Sequence, residues 1–122
     1  MMSDTLRIKR GDTWRPQFVW QDGSGNPIDL TGATARLQLR QKREQIELSG
    51  ISFPAELDLK STEGDIVIKE SEGKLEVEAS ATQTSSLEPK NYVTDVEITF
   101  PNGDVRSTQT IDVIVERDVT HD

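Results

Sequence analysis

The chain has 122 residues, 14 Lys and Arg against 22 Asp and Glu, a net charge of −8, one histidine and no cysteine. A length of one ordinary domain leaves room for a single core that buries about two-thirds of the unfolded surface. The acidic balance works against phosphate backbones and anionic membranes, and the lack of cysteine removes disulfide and thiolate chemistry.

Only 33% of the residues are apolar, and the mean hydropathy is −0.59. That composition suits a thin sandwich with one wet face per sheet better than an α/β fold with a fully buried sheet. The apolar residues are patterned, which argues against disorder. Residues 1–10 carry no signal-peptide pattern, and no run approaches the ~20 apolar residues of a membrane span. The expectation is a protein made in the cytoplasm, without a nucleic-acid or membrane partner.

Residues 5–9 alternate around Leu6 and Ile8 and read as a first strand, broken at Gly11-Asp12. Trp14, Pro16, Phe18 and Trp20 then share one parity and hold three of the six aromatic residues. That stripe supplies bulk to a core, and Pro16, which has no N–H, predicts a sheet edge. The stretch 22–34 follows as a turn-rich hairpin tip, with Ile28 and Leu30 inward around Asp29 and Gly32 turning the backbone again.

Ala33, Ala35, Leu37 and Leu39 face one way along the next strand, and Thr34, Arg36, Gln38 and Arg40 the other. Residues 41–45 read as an exposed loop, and 46–62 as weak strand pieces or an inserted hairpin. A hairpin is predicted for 65–69 and 74–79 across Glu70-Ser71-Glu72-Gly73. Residues 80–87 are the one candidate for a short helix, with Ser80 as N-cap and Pro89 beyond its end. A strand from Tyr92 to Phe100, a turn at Pro101-Asn102-Gly103-Asp104 and a last strand from Val105 to about Arg117 complete the chain, with Asn-Gly favouring a tight hairpin and 118–122 as a frayed tail. The pattern predicts one all-β domain over 1–122. It is an antiparallel, immunoglobulin-like sandwich of about seven to nine strands, with at most one helical turn near 80–87.

Candidate sites are few. Arg10-Gly11-Asp12 spells an integrin-recognition tripeptide, although glycine breaking a strand between two ordinary turn residues is the account that the sequence favours. Asp22, Ser24, Asn26 and Asp29 offer oxygen ligands, but Pro27 stands where an EF-hand loop needs glycine and no Glu occupies its twelfth position. His121 sits one residue from the C-terminus, out of place for general acid–base work. One histidine and no cysteine leave no tetrahedral zinc set, so catalytic, cofactor and metal residues are all expected to be none. Carboxylates such as Asp95 and Glu97, or Glu76 and Glu78, alternate as solvated strand faces do. Trp14, Phe18 and Trp20 could stack sugar rings, with Trp20 the most exposed of them; core packing is the simpler account. Arg36, Gln38, Arg40, Lys42 and Arg43 form the one basic cluster, a candidate assembly surface for the acidic side of a neighbouring copy.

Six segments resemble a bacteriophage family in order along nearly the whole chain. They are Gly-Asp-Thr-Trp at 11–14, Asp-Gly-Ser-Gly-Asn-Pro-Ile-Asp-Leu-Thr-Gly-Ala-Thr at 22–34 followed by Leu-Gln-Leu-Arg at 37–40, the run 84–98, Asn-Gly-Asp-Val-Arg-Ser-Thr at 102–108, and Val-Ile-Val-Glu-Arg-Asp-Val-Thr at 113–120. The family is that of small tail and baseplate proteins, including the N-terminal domain of siphophage upper baseplate proteins. The resemblance implies a non-enzymatic virion protein of phage or prophage, synthesised in the bacterial host cytoplasm. Its partners would be other phage structural proteins and further copies of itself. Upper baseplate proteins continue into helical or receptor-carrying regions whereas this chain stops after one domain, so the resemblance does not extend to holding receptor-binding proteins. A carbohydrate- or receptor-binding module, or an assembly factor absent from the finished particle, are the alternative readings.

Overall fold

A computed structural model describes residues 5–42 and 55–117. Within them the strands are β1 (Leu6–Lys9), β2 (Gln17–Val19), β3 (Thr34–Gln41), β4 (Leu57–Lys60), β5 (Ile66–Lys69), β6 (Lys74–Val77), β7 (Asn91–Thr99), β8 (Val105–Ser107) and β9 (Ile111–Glu116). One short helix, α1 (Ala81–Ser85), lies between β6 and β7. Of the predicted loop at 41–45, Gln41 instead ends β3; residues 43–45, much of the uncertain stretch up to 54 and the tail 118–122 fall outside the described residues.

One sheet runs in the order β1-β9-β7-β3-β4, with β8 also on β7, and the second in the order β2-β6-β5. The two longest strands, β3 and β7, pair over eight positions at the centre of the larger sheet. Their alternation is the reason: Ala35, Leu37, Leu39, Tyr92, Val96 and Ile98 are all buried, while Arg36, Asp95 and Glu97 are exposed. From the smaller sheet, Ile66, Leu75, Val77 and Ala79 close the core from the other side. The result is an all-β sandwich. Its order reproduces a G-F-C-C′ sheet facing a B-E-D sheet, the immunoglobulin-like arrangement. Pro16 bears out the predicted edge, because β2 is an outer strand of the smaller sheet.

Three local features differ from the sequence expectation. First, β1 runs parallel to β9, with Leu6 opposite Val113, so the larger sheet is mixed rather than purely antiparallel. Second, the stretch 22–34 does not join paired strands: β2 and β3 belong to different sheets, and the chain crosses between them. Only a small hairpin survives inside it, closed by the bridge Gln21↔Pro27. Leu30 is wholly buried where the crossing enters the core, and that burial draws the chain from one layer to the other. Third, the last strand is split. Residues 95 and 96 of β7 face three residues, 108–110, between the pairs Thr94↔Ile111 and Glu97↔Ser107. This is a β-bulge. Across it, Thr108 donates its N–H to the Val96 carbonyl and its hydroxyl accepts the Val96 N–H, both at 3.0 Å.

The corner between β6 and β7 is tied to the turn after β1. Ser80 and Gln83 form a reciprocal capping box: the Ser80 hydroxyl accepts the Gln83 N–H and the Gln83 amide oxygen accepts the Ser80 N–H, satisfying two N-terminal donors of α1. Thr84, fully buried, donates its hydroxyl to the Asp12 carbonyl at 2.7 Å and accepts the Gly11 N–H at 3.1 Å. Tyr92, at the start of β7, donates its hydroxyl back to the Glu88 carbonyl at 2.8 Å, the tyrosine corner of such sandwiches. Replacing Thr84 by the isosteric Val removes the latch and leaves the part-buried Gly11 N–H and Asp12 carbonyl without this partner. Chemical denaturation of Thr84→Val is expected to show a loss of about 2 kcal/mol with an unchanged m value.

Candidate functional site

Three loops meet at one end of the sandwich: residues 20–33, 70–73 and 100–104. Gly73 is their pivot. It adopts φ +60°, and a Cβ there would lie 2.6 Å from the Trp20 carbonyl oxygen and 2.9 Å from that of Ile28. The space is filled by backbone: Trp20 N–H donates to the Gly73 carbonyl at 2.7 Å, and Ile28 N–H to the Trp20 carbonyl at 3.1 Å. Glu70 fastens the same crossing twice. Its carbonyl accepts the Leu30 N–H and its carboxylate accepts the Gly32 N–H at 2.8 Å.

The oxygen atoms that invited a calcium reading are occupied by the turns themselves. Asp22 Oδ1 accepts the N–H groups of Ser24 and Asn26. Asp29 Oδ1 accepts both the hydroxyl and the N–H of Thr31; those bonds favour its charged form and hold its carboxyl below the ordinary value. Next to them, Phe100 to Asp104 closes as a type I turn followed by a left-handed glycine, with Gly103 N–H to the Phe100 carbonyl and φ +92° at Gly103. Pro101 presets the first turn position, so Asn-Gly serves this longer hairpin rather than the two-residue one expected. Ile28, Phe100, Pro101, Asn102, Asp104 and Arg106 line a shallow open hollow of about 360 Å³. The Arg106 guanidinium lies 5.8 Å from the Phe100 ring centre.

The aromatic stripe points inward. Trp14 is buried, and Phe18 and Trp20 are half-buried against the core. Trp20, the candidate for stacking a ligand, thus lends one face to packing, and its backbone is bound to Gly73 and Ile28.

The basic cluster lies on the outer face of the larger sheet, as its parity predicts, but its charges are answered within the molecule. Arg36 grips Asp58 with two hydrogen bonds, at 2.9 and 2.6 Å, and its pairing partner on β7 is Glu97. Gln38 donates to Asp58 at 3.4 Å, Arg40 donates to Gln38 at 2.9 Å, and Lys42 meets Asp112 at 2.9 Å. Arg43, like His121, lies outside the described residues. The face is therefore a cross-strand ladder of both signs. Asp58, chiefly through the Arg36 bonds, is held below the ordinary carboxylate value. Sequence reading missed Asp58, although the alternation Leu57-Asp58-Leu59-Lys60 marks it as an outward strand position. It also missed Glu70, whose role depends on a contact 38 residues away that no local pattern announces.

The tripeptide Arg10-Gly11-Asp12 forms a fastened corner. Arg10 Nε donates to the Ser85 carbonyl at 2.9 Å, Asp12 N–H closes a turn on Lys9, and Gly11 supplies φ +90°. Among the described residues, no helix is long and apolar enough to cross a membrane.

No protein-family model matches the chain, and no curated protein matches it. Among solved structures, one of murine CRIg aligns with 93% of this chain and 92% of that one, at 11% sequence identity and a TM-score of 0.38.

Two outcomes test this geometry. Gly73→Ala adds a backbone clash to left-handed strain, whereas Gly103→Ala, with nothing within 4 Å of the added carbon, incurs strain alone, about 1–2 kcal/mol. Thermal unfolding should show Gly73→Ala clearly the less stable of the two. For Asp58, a depressed folded pKa means that its stabilisation is present above the ordinary value of 3.8 and lost as pH falls through the folded value. Asp58→Asn should melt below the unaltered chain at neutral pH, and the gap should close as the solution is acidified past that range.

Proposed function

We propose that this chain is a non-catalytic structural module of a phage tail or baseplate, working by protein–protein contact. The observation that carries the reading is where the six phage-like segments fall, one of them, 37–40, lying within β3. Residues 11–14 begin with two of the three residues of the latched corner, 22–34 include most of the inter-sheet crossing, and 84–98 contain Thr84 and Tyr92. Residues 102–108 include Gly103 of the hairpin and Thr108 of the bulge, and the last segment begins inside β9. The resemblance thus follows the joints that make the sandwich rigid, and a rigid module is what an assembly built by surface complementarity needs.

In this reading the charged outer face of the larger sheet and the knotted loop end meet neighbouring subunits. The paired charges of that face favour register and specificity over raw attraction, since Arg36 and Lys42 already have internal partners. The molecule acts in the virion, after synthesis in the host cytoplasm.

Quantitative mass spectrometry of purified particles, from the source phage or an induced lysogen, tests the proposal. The expected result is this polypeptide at a fixed copy number, a multiple of three or six, as placement in a three-fold or six-fold ring gives. Abundance in the lysate with absence from particles would overturn it. An assembly factor, or a free binding module using the hollow beside Phe100, would then be the account.

A further inference from the structure

β5 is an outer strand of the smaller sheet, paired on one side only, with β6. The Glu78 N–H donates to the Asp65 carbonyl at 2.9 Å. Because antiparallel partners alternate, Val67 and Lys69 turn their backbone groups toward β6 and Ile66 and Ile68 turn theirs to the open edge, while the Asp65 N–H closes the preceding turn on the Lys60 carbonyl at 3.0 Å. Among the described residues nothing pairs with them there. On the outer face, Val67 is 50% exposed between Asp65 and Lys69. Below, Ile68 is only half-buried.

We propose that this edge is a self-association site whose occupant is β5 of a second copy, paired antiparallel about a two-fold axis through Val67. In that register Ile66 of one copy lies opposite Ile68 of the other, and their edge N–H and C=O groups exchange hydrogen bonds at both ends. Val67 meets Val67 at a non-hydrogen-bonded position, where Cα atoms approach to about 4.5 Å. Asp65, one of whose carboxylate oxygens accepts the Lys60 N–H at 3.1 Å, lies opposite Lys69, which stands 3.9 Å from Glu76, twice over. A slip of two residues in either direction removes the Val67 pair and both Asp65–Lys69 matches. The strand is therefore complementary to itself in charge, shape and hydrogen bonding at one register. The smaller sheet becomes continuous across the pair.

The other open strand of that sheet, β2, offers only Gln17 and Val19 on its outer face, with no opposed charges. Between copies that each carry −8, acid set against base is what turns repulsion into attraction. A strand of four residues covers little area, so the contact is weak singly and gains force among many tethered copies. It stands independently of the phage reading, since it needs only two copies of this chain.

A single thiol reads the register directly, because the chain has no cysteine of its own. Under mild oxidation at equal concentration, Val67→Cys is expected to form a disulfide-linked dimer about tenfold faster than Val19→Cys or Val105→Cys. Those control sites are as exposed, at 55% and 54%. Adding Lys69→Glu, which sets acid against Asp65, should slow the linkage roughly fivefold. On the unaltered chain, dilution followed by amide NMR should move the Ile66 and Ile68 signals. Cross-linking of Val67→Cys no faster than the controls, indifference to Lys69→Glu, or dilution shifts confined to β2 would each overturn the proposal.

Discussion

The architecture depends on a single constraint, the passage of the chain from the smaller sheet to the larger between Trp20 and Thr34. A sandwich with few apolar residues has little free energy to spare, and it cannot leave such a passage loose. The chain presses backbone against backbone at Gly73, where any side chain would intrude. It then lets one carboxylate and one carbonyl of Glu70 hold the far end. Leu30 is buried because those contacts hold it, and β3 starts in the correct register because Leu30 is buried. The central pairing of β3 with β7, and through it the rest of the larger sheet, follows from that start.

What the sequence made legible was what period and local chemistry encode. The alternation of β3 and β7, the β5–β6 hairpin, the Ser80 cap and the edge position announced by Pro16 are all readable within a window of ten residues. What stayed hidden was long-range. Nothing around Leu6 says that its partner is Val113, and parallel pairing leaves no local turn to read. The crossing looked like a hairpin because Asp22-Gly23-Ser24-Gly25-Asn26 does make one, on a scale smaller than the strands it separates. The outward charges of β3 looked like a basic patch because one strand shows only its own side chains. Asp58, Glu97 and Asp112 arrive from three other strands to balance it. A face must be assembled before its electrostatics can be read.

Charge is consequently distributed in an ordered way. The larger sheet wears both signs in a lateral ladder, whereas the loop end concentrates acids on tight turns, where backbone N–H groups stabilise Asp22, Asp29 and Glu70. Such carboxylates are part of the backbone's hydrogen bonding rather than a surface held in reserve. The fully buried threonine at position 84 shows the same economy: one hydroxyl joins the helix, the first turn and the corner.

The parallel seam between β1 and β9 carries a consequence for how the molecule comes into being. Leu6 and Val113 are 107 positions apart, so β1 gains its place only once β9 exists. Until then, the inward side of Ile8 and the flank of β9 have no cover, and the nascent sheet is open along one border. Contacts of such separation are slow to close, since the chain must give up the entropy of a large loop before the seam rewards it. The first turn can meet Thr84 earlier, when α1 emerges, and so park β1 near its eventual site. The latch at the corner thus doubles as a mooring, cutting the loop left to close between Leu6 and Val113 to roughly a third of its length.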